Sequence, residues 1–477
     1  MKNIFRHSLC FLIILIVSIP AYADKLDNFI KAQLNKTRVP GLSLAIIQDG
    51  KIVKAKGYGI TDKESKNPVK PSTLFQAGSV SKSVAALGAL SFVENGKLEL
   101  DEDVNAKLTT WKVPENEFTK HKRVTLREIL SHTAGLTVHG FGGYAVVAQK
   151  PTLVQILNGE KPANSPAIRV DIAPGSAWRY SGGGYTVMQQ MLMDITGTSF
   201  PELMWQTVLE PLNMTSSTYA QPLPNDIAQA TATGYYAGGK AVEGRWHIYP
   251  EMAAAGLWTT PSDLAHFVIG VQQAVSGTSN KVISQAMTKQ MLTVQKDKDG
   301  LGVFLDGKDR ALRFSHNGRD EGFDAVMAGY AEVGQGAVIM INANEDSPMM
   351  SRILEVIAKE YHWLEYPIQP IYKPLPDKEP EVTALIKAFF KQAAEGKFVK
   401  EMFTPQLAEI IAEGLKGGLK DFFHSKGKVQ NFVLVERKDE GSSRLYRYRL
   451  SYNGKSFLVS CKFNNENKIA HLHWQLE

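Results

Sequence analysis

Ser79 and Lys82 in "FQAGSVSKSVAALGAL" stand three residues apart where an apolar helical pattern begins, so one helix face carries both within reach of each other. That pair points to nucleophilic chemistry. A serine hydroxyl attacks poorly at neutral pH unless a base takes its proton and a nearby cation favours the deprotonated form. The helix N-terminus adds unpaired N–H groups and partial positive charge where an oxyanion would develop. Ser-x-x-Lys alone is weak, since a chain of this length holds ~2 by chance, and a second runs from Ser425 to Lys428. Context separates them: Ser79 follows Ala77-Gly78 and opens an apolar helix, whereas Ser425 stands in a polar turn before a strand. Other chemistries lack their residues. No His-Glu-x-x-His or paired-cysteine spacing supports a metal, and no Gly-x-Ser-x-Gly elbow is present. "GYYAGGKA" has Ala241 where a phosphate loop needs Ser or Thr.

The elements that must hold this pair follow from periodicity. Leu26, Phe29, Ile30 and Leu34 recur at helical spacing, and "GLSLAIIQDGKIVKAKGYG" gives two strands around an Asp49-Gly50 turn. The helix from Ser79 runs to Glu94 and stops at Asn95-Gly96. Between about 100 and 275, loops alternate with helices expected at 125–131, 183–196, 200–209 and 262–275. Strands "FDAVMAGYAE" and "GAVIMINAN" follow around a Gly334 turn, and a helix over "MSRILEVIAKEYHWL" closes the segment. Strands at both ends with helices between them imply one sheet built from both ends of the segment and a helical insertion beside it.

Composition sets the wider frame. The chain has 477 residues, 44% apolar and 21% charged, which excludes disorder as a whole-chain answer and allows two or three domains. Lys2 and Arg6 precede an apolar run from Leu9 to Ile19 and the pattern Ala21-Tyr22-Ala23, which reads as a signal peptide over residues 1–23, cut near Ala23. The run is shorter than the ~20 residues of a membrane span, so no stable transmembrane anchor is expected. The product is expected to be exported, periplasmic or secreted, with Cys461 as its single cysteine and no intramolecular disulfide. The net charge of +6 is spread along the chain rather than clustered, so nucleic acid is a poor partner. Five prolines in "PIQPIYKPLPDKEP" make residues 367–380 a stiff linker. It separates a domain over 24–366 from a small α+β domain over 381–477. Two helical patterns, "VTALIKAFFKQAAEGK" and about 404–423, precede strand-like runs near 428–437, 443–452, 455–464 and 468–476, with Asn453-Gly454 joining the middle two. In order of elements alone this small domain resembles the NTF2-like domains. Phe389, Phe390, Phe422 and Phe423 read as its core, and His471 and His473 as a surface face.

Five stretches, "FQAGSVSKSVAALGAL", "LREILSHTAGL", "PGSAWRYSGGGY", "AAAGLWTTPSDLAHF" and "FSHNGRDEGF", stand in the order and spacing of the serine β-lactamase and penicillin-binding-protein superfamily. Over about residues 26–364 the chain resembles its class C β-lactamase-like esterases and D-amino-acid peptidases. The resemblance implies an α/β sandwich with a helical second lobe and a site in the groove between them. It implies Ser79 as the acylated nucleophile, Lys82 as the cation beside it and Tyr180 as a phenolate base. A free tyrosine has a pKa of about 10, so that role needs nearby positive charge. It further implies the backbone N–H groups of Ser79 and Arg319 as the oxyanion hole. His316, Asn317 and Gly318 take the place of the Lys-Thr-Gly usual in the β-lactamases, and a neutral histidine there acts as a hydrogen-bond partner rather than a fixed cation. Gly182 occupies a substrate-binding slot where the family usually has an asparagine. His132 reads as a structural buttress and His139 as part of a glycine-rich cleft rim.

The expected activity is a serine hydrolase working through an acyl-enzyme on D-alanyl peptides, D-amino-acid amides or small esters, with β-lactams as poor substrates. The expected partner is a small-molecule or peptide substrate, cell-wall fragments among them, and no cofactor is expected. The alternative is a catalytically silent relative that binds wall peptides or a protein partner, favoured by the missing asparagine at Gly182 and by the appended domain.

Overall fold

The computed structural model describes residues 21–476 except 369, 371, 417, 428, 453 and 454. The signal-peptide expectation before residue 21, the Asn453-Gly454 turn and Lys428 of the second Ser-x-x-Lys lie outside the described residues. The chain forms two compact units, one running up to Glu345 with Arg352–Tyr366 added, the other comprising Asp346–Ser351 and Pro367–Glu477.

In the first unit an amphipathic helix, α1 (Ala21–Thr37), buries Leu26, Ile30 and Leu34 and leads into strands β1 (Gly41–Gln48) and β2 (Lys51–Gly59). Asp49 and Gly50 between them have φ of 52° and 68°, the left-handed pair that a two-residue hairpin turn requires. Lys82 lies in α2 (Ser81–Glu94), preceded by a tight 3-10 turn over Gly78–Val80 that carries Ser79. Two long insertion helices follow, α3 (Gly182–Thr196) and α4 (Pro261–Ser276). The sheet resumes with β3 (Phe304–Asp306), β4 (Arg313–Asp320), β5 (Phe323–Tyr330) and β6 (Gly336–Ile341), before α5 (Met349–Glu360).

The six strands form one antiparallel sheet in the order β2-β1-β6-β5-β4-β3, closed by Leu42 of β1 pairing Ile341 of β6. The two ends of the segment therefore do build one sheet. It is an α/β fold, with α4 lying on β1 and β6 and a core that runs from the sheet (Ala45, Val338, Met340) into α2 (Val84, Leu87, Leu90). Strands β5 and β6 are buried at every position because both faces are covered.

Three expected helices end differently. The 200–209 helix is an α-helical turn over Phe200–Met204 that widens into a π-type turn over Trp205–Leu209. The closing helix stops at Glu360, and His362 just beyond it is left-handed with φ 51°. The helix expected at 404–423 is two, because Gly418 adopts φ 114°, which no helix interior tolerates.

The second unit places α6 (Pro380–Ala394), α7 (Pro405–Lys416) and α8 (Leu419–Lys426) with a four-stranded antiparallel meander. Its strands are β7 (Asn431–Glu440), β8 (Ser443–Tyr452), β9 (Lys455–Phe463) and β10 (Ile469–Leu476). It has its own aromatic core of Phe389, Phe390, Phe403, Phe423, Tyr446 and Tyr448. Cys461 is buried there, and His471 and His473 lie exposed side by side on β10. Among the described residues, no helix is long and apolar enough to cross a membrane.

Candidate active site

Two glycines bring the turn that carries Ser79 onto strand β4. A Cβ on Gly78, whose φ is 52°, would stand 2.4 Å from the Arg319 backbone nitrogen. A Cβ on Gly318 would stand 1.9 Å from the Ala77 carbonyl oxygen and 3.1 Å from the Ser79 nitrogen. Only hydrogens fit at these two positions, so the Ala77–Ser79 and Gly318–Arg319 backbones lie against each other. The backbone N–H groups of Ser79 and Arg319 thus come from directly apposed segments. The Arg319 side chain turns away and holds Asp324 through two 2.7 Å bonds.

Lys82 sits in the first turn of α2, 1% exposed. Its ammonium donates to the Ser79 hydroxyl at 2.9 Å and to the Ala254 carbonyl oxygen at 2.7 Å. The segment presenting Ala254 is tied back to the turn around Ser79: Leu257 N–H donates to the Ser81 hydroxyl, and Ala77 N–H donates to the Leu257 carbonyl oxygen. Burial lowers the Lys82 pKa to about 7, against the opposing charge of Asp320. Asp320 is a residue that sequence reasoning passed over. It shares the inward face of β4 with His316 and Gly318, its carboxylate is buried beside the Gly78 backbone N–H, and burial drives its pKa well up while Lys82 and Gly78 oppose that. The period-2 alternation His316, Gly318, Asp320 was the available signal.

Tyr180 is enclosed by rings: His132 at 4.1 Å between centroids, His139 at 4.8 Å, His316 at 6.2 Å and Phe304 at 6.4 Å. The Lys82 nitrogen lies 5.0 Å from its ring centre, over the face rather than bonded to its oxygen. Burial pushes the phenol above its usual range, the neighbouring Ser79 hydroxyl lowering it in part. This is opposite in direction to what a phenolate base needs. Lys82, the cation expected to favour the phenolate, directs its hydrogen bonds to Ser79 and Ala254 rather than to the phenol oxygen.

Both buried histidines are neutral. His316 donates from Nδ1 to the Asn317 carbonyl oxygen at 2.6 Å, and burial, with Lys82 adding to it, lowers its pKa to about 3. His132, held at φ 57°, accepts the Ser181 N–H on Nδ1 at 3.1 Å, and its carbonyl oxygen accepts the Arg179 N–H, so it fixes the backbone on both sides of Tyr180. Burial lowers its pKa as well.

Two expected substrate contacts are corrected. Asn317 is exposed on the strand face opposite His316 and Gly318, so its side chain does not share their side of β4. Gly182 does not face an open slot. The 137–143 loop covers it, with Gly182 N–H donating to the His139 carbonyl oxygen and Gly183 N–H to that of Val138. Ser181 caps α3 by accepting the Gly184 N–H, which is why the helix starts at Gly182 directly after Tyr180. Ser79, Lys82, Tyr180 and His316 come together, and Arg319 joins them through its backbone. Among the described residues, no group of three or more His, Cys, Asp or Glu is placed to hold a metal ion.

The chain is 23% identical over 338 residues to Protein flp of Staphylococcus aureus strain N315, 68% of this chain, and spans 64% of that protein's length. It is 29% identical over 245 residues to a beta-lactamase of Pseudomonas fluorescens, covering 51% of this chain and 62% of that one. Among solved structures its fold is similar to an octameric penicillin-binding protein homologue from Pyrococcus abyssi (TM-score 0.60, 20% identity, 95% of this chain and 98% of that one). It is also similar to the D-alanine carboxypeptidase AmpC from Burkholderia cenocepacia (TM-score 0.57, 21% identity, 71% of this chain and 99% of that one). The Beta-lactamase family model matches residues 26–361, which includes every residue of the constellation around Ser79, and the chain belongs to that family.

Proposed function

We propose that this protein is an exported serine hydrolase that forms an acyl-enzyme on Ser79 from an ester or an amide, then passes the acyl group to water. The 2.9 Å contact between Lys82 and Ser79 carries this reading. With its pKa near 7, a large fraction of Lys82 is a neutral amine at physiological pH, able to take the Ser79 proton as the oxygen attacks the carbonyl carbon. The oxyanion then forms against the Ser79 and Arg319 N–H groups. The proton taken by Lys82 is returned to the leaving group through the Tyr180 hydroxyl beside Ser79, which accepts it as it gives up its own, so no phenolate is left and both side chains end as they began, while His132 and His316 hold the surroundings neutral. Small esters, D-amino-acid amides and D-alanyl peptides are the substrate classes, with β-lactams turned over poorly.

The test is intact-mass measurement after exposure to a fluorophosphonate and to a penicillin. An adduct on the wild type that is absent from Ser79→Ala supports the enzyme. Absence of any adduct on the folded wild type favours a silent binder. Rates on a D-Ala-D-Ala peptide, a D-amino-acid amide, a short-chain ester and a cephalosporin then select the substrate class, and a cephalosporin turned over faster than the ester overturns the expected order.

A further inference from the structure

A cavity of about 730 Å³ opens in the second unit between α6, α8 and the approach to β7. Small-molecule sites fall in the range of about 300–1,000 Å³. Its walls are aromatic: Phe390, Phe423, Phe432 and Tyr452 line it, with the Phe390 ring 5.4 Å from that of Phe423 and 6.4 Å from that of Phe432. Phe390, Phe423 and Tyr452 are themselves part of the unit's core, so this wall is fixed by packing. Two cations border the cavity. Lys387 and Lys391, one turn apart on α6, are exposed and make no ion pair among the described residues. The Lys387 nitrogen lies 5.4 Å from the ring centre of Phe432, so the charge stands at the edge of the aromatic surface. Glu395, the residue that caps the C-terminus of α6, is the single acidic residue among the described lining residues.

We propose that this cavity binds an amphipathic carboxylate, its apolar body among the phenylalanines and its head group at Lys387 and Lys391. Aromatic walls favour an apolar body because its burial removes both surfaces from water. Two lysines without carboxylate partners, against one glutamate, favour an anion over a cation, and they distinguish a fatty acid from its uncharged alcohol. All lining residues belong to the second unit, so the proposal stands independently of the chemistry at Ser79.

Calorimetric titration of the full-length protein with sodium decanoate below its micellar concentration tests this, with decanol and decyltrimethylammonium as comparators. Decanoate is expected to bind once per chain, and about tenfold or more tighter than either comparator. The double variant Lys387→Glu/Lys391→Glu changes only exposed side chains and should keep the melting temperature of the parent while weakening decanoate about tenfold or more. A second variant, Val429→Trp, fills the cavity from its rim and should remove binding without reversing any charge. Decanoate binding that is undetectable, that is matched by decanol or the ammonium compound, or that survives both variants overturns the proposal.

Discussion

Lys82 donates to the Ser79 hydroxyl at 2.9 Å from a position 1% exposed, and the burial that holds it there also brings its pKa to about 7. Geometry and acidity are one fact here. A lysine in water is nearly all ammonium at neutral pH, whereas this one is divided between a base and a cation.

Acylation should accordingly depend on one ionisation. With the neutral amine as the proposed base, its population grows as pH rises through the Lys82 pKa, and kcat/KM for an activated ester should climb with unit slope to a plateau above about 7. Lys82→Arg keeps a charge at every pH and should cost about 10²–10⁴ in kcat/KM, the range of general-base catalysis. A wild-type profile that stays flat from about pH 5.5 to 8.5 would remove Lys82 from this role.

Tyr180→Phe separates chemistry from packing. The phenol is buried beside the Ser79 hydroxyl, which keeps its bond from Lys82 when the phenol is removed, so the melting temperature should hold. Turnover should fall about 10²–10⁴ if the hydroxyl passes a proton to the leaving group. Unchanged turnover on both an ester and an amide would assign the ring to packing alone.

The sequence showed the sheet well and the site unevenly. The Asp49-Gly50 hairpin, the α2 pattern and the β5 and β6 runs are local signals, and each lies where periodicity placed it. That Ser79, Lys82, Tyr180 and His316 lie together was legible through motif order. What stayed hidden is tertiary. Nothing local says that Gly182 is covered by a loop 40 residues earlier, or that Asp320 lies buried in reach of the charge on Lys82. Asn317 was misjudged for a simpler reason, since alternation along β4 already turns it away from His316.

Gly318→Ala should abolish activity. Its Cβ would meet the Ala77 carbonyl oxygen at 1.9 Å, and a backbone atom in a packed turn cannot yield as a side chain does. The variant should lose acylation altogether and be destabilised beyond the ~1–3 kcal/mol of ordinary overpacking. Gly184→Ala is the matched control: its Cβ finds nothing nearer than 3.5 Å, and alanine favours the helix, so melting temperature should hold or rise. Equal behaviour of the two variants in a thermal melt would contradict the close approach at Ser79.

His132→Leu keeps a side chain under Tyr180 but leaves the Ser181 N–H without its acceptor. A buried donor stripped of its partner costs about 1–3 kcal/mol, so the melting temperature should drop. Because His132 also anchors Arg179 through its backbone, which the substitution leaves in place, kcat should fall further than the rate of labelling by a fluorophosphonate, which makes few demands on orientation. A variant that melts like the wild type would mean that water replaces the imidazole.

Gly182→Asn reads out the loop. Its Cβ would stand 3.1 Å from the His139 carbonyl oxygen and 3.2 Å from the Phe141 ring, tight contacts that a shift of a few tenths of an ångström in the 137–143 loop relieves. That shift carries His139 off its tilted 4.8 Å ring contact with Tyr180 and reshapes the rim without touching Ser79 or Lys82. KM and substrate preference should therefore change while fluorophosphonate labelling stays within about threefold of the wild-type rate. Gly183→Ala provides the contrast, since its Cβ would press on the Thr137 carbonyl oxygen at 2.5 Å and should lower stability instead. If Gly182→Asn slows labelling as much as it slows turnover of a peptide, the residue supports the catalytic turn rather than the rim.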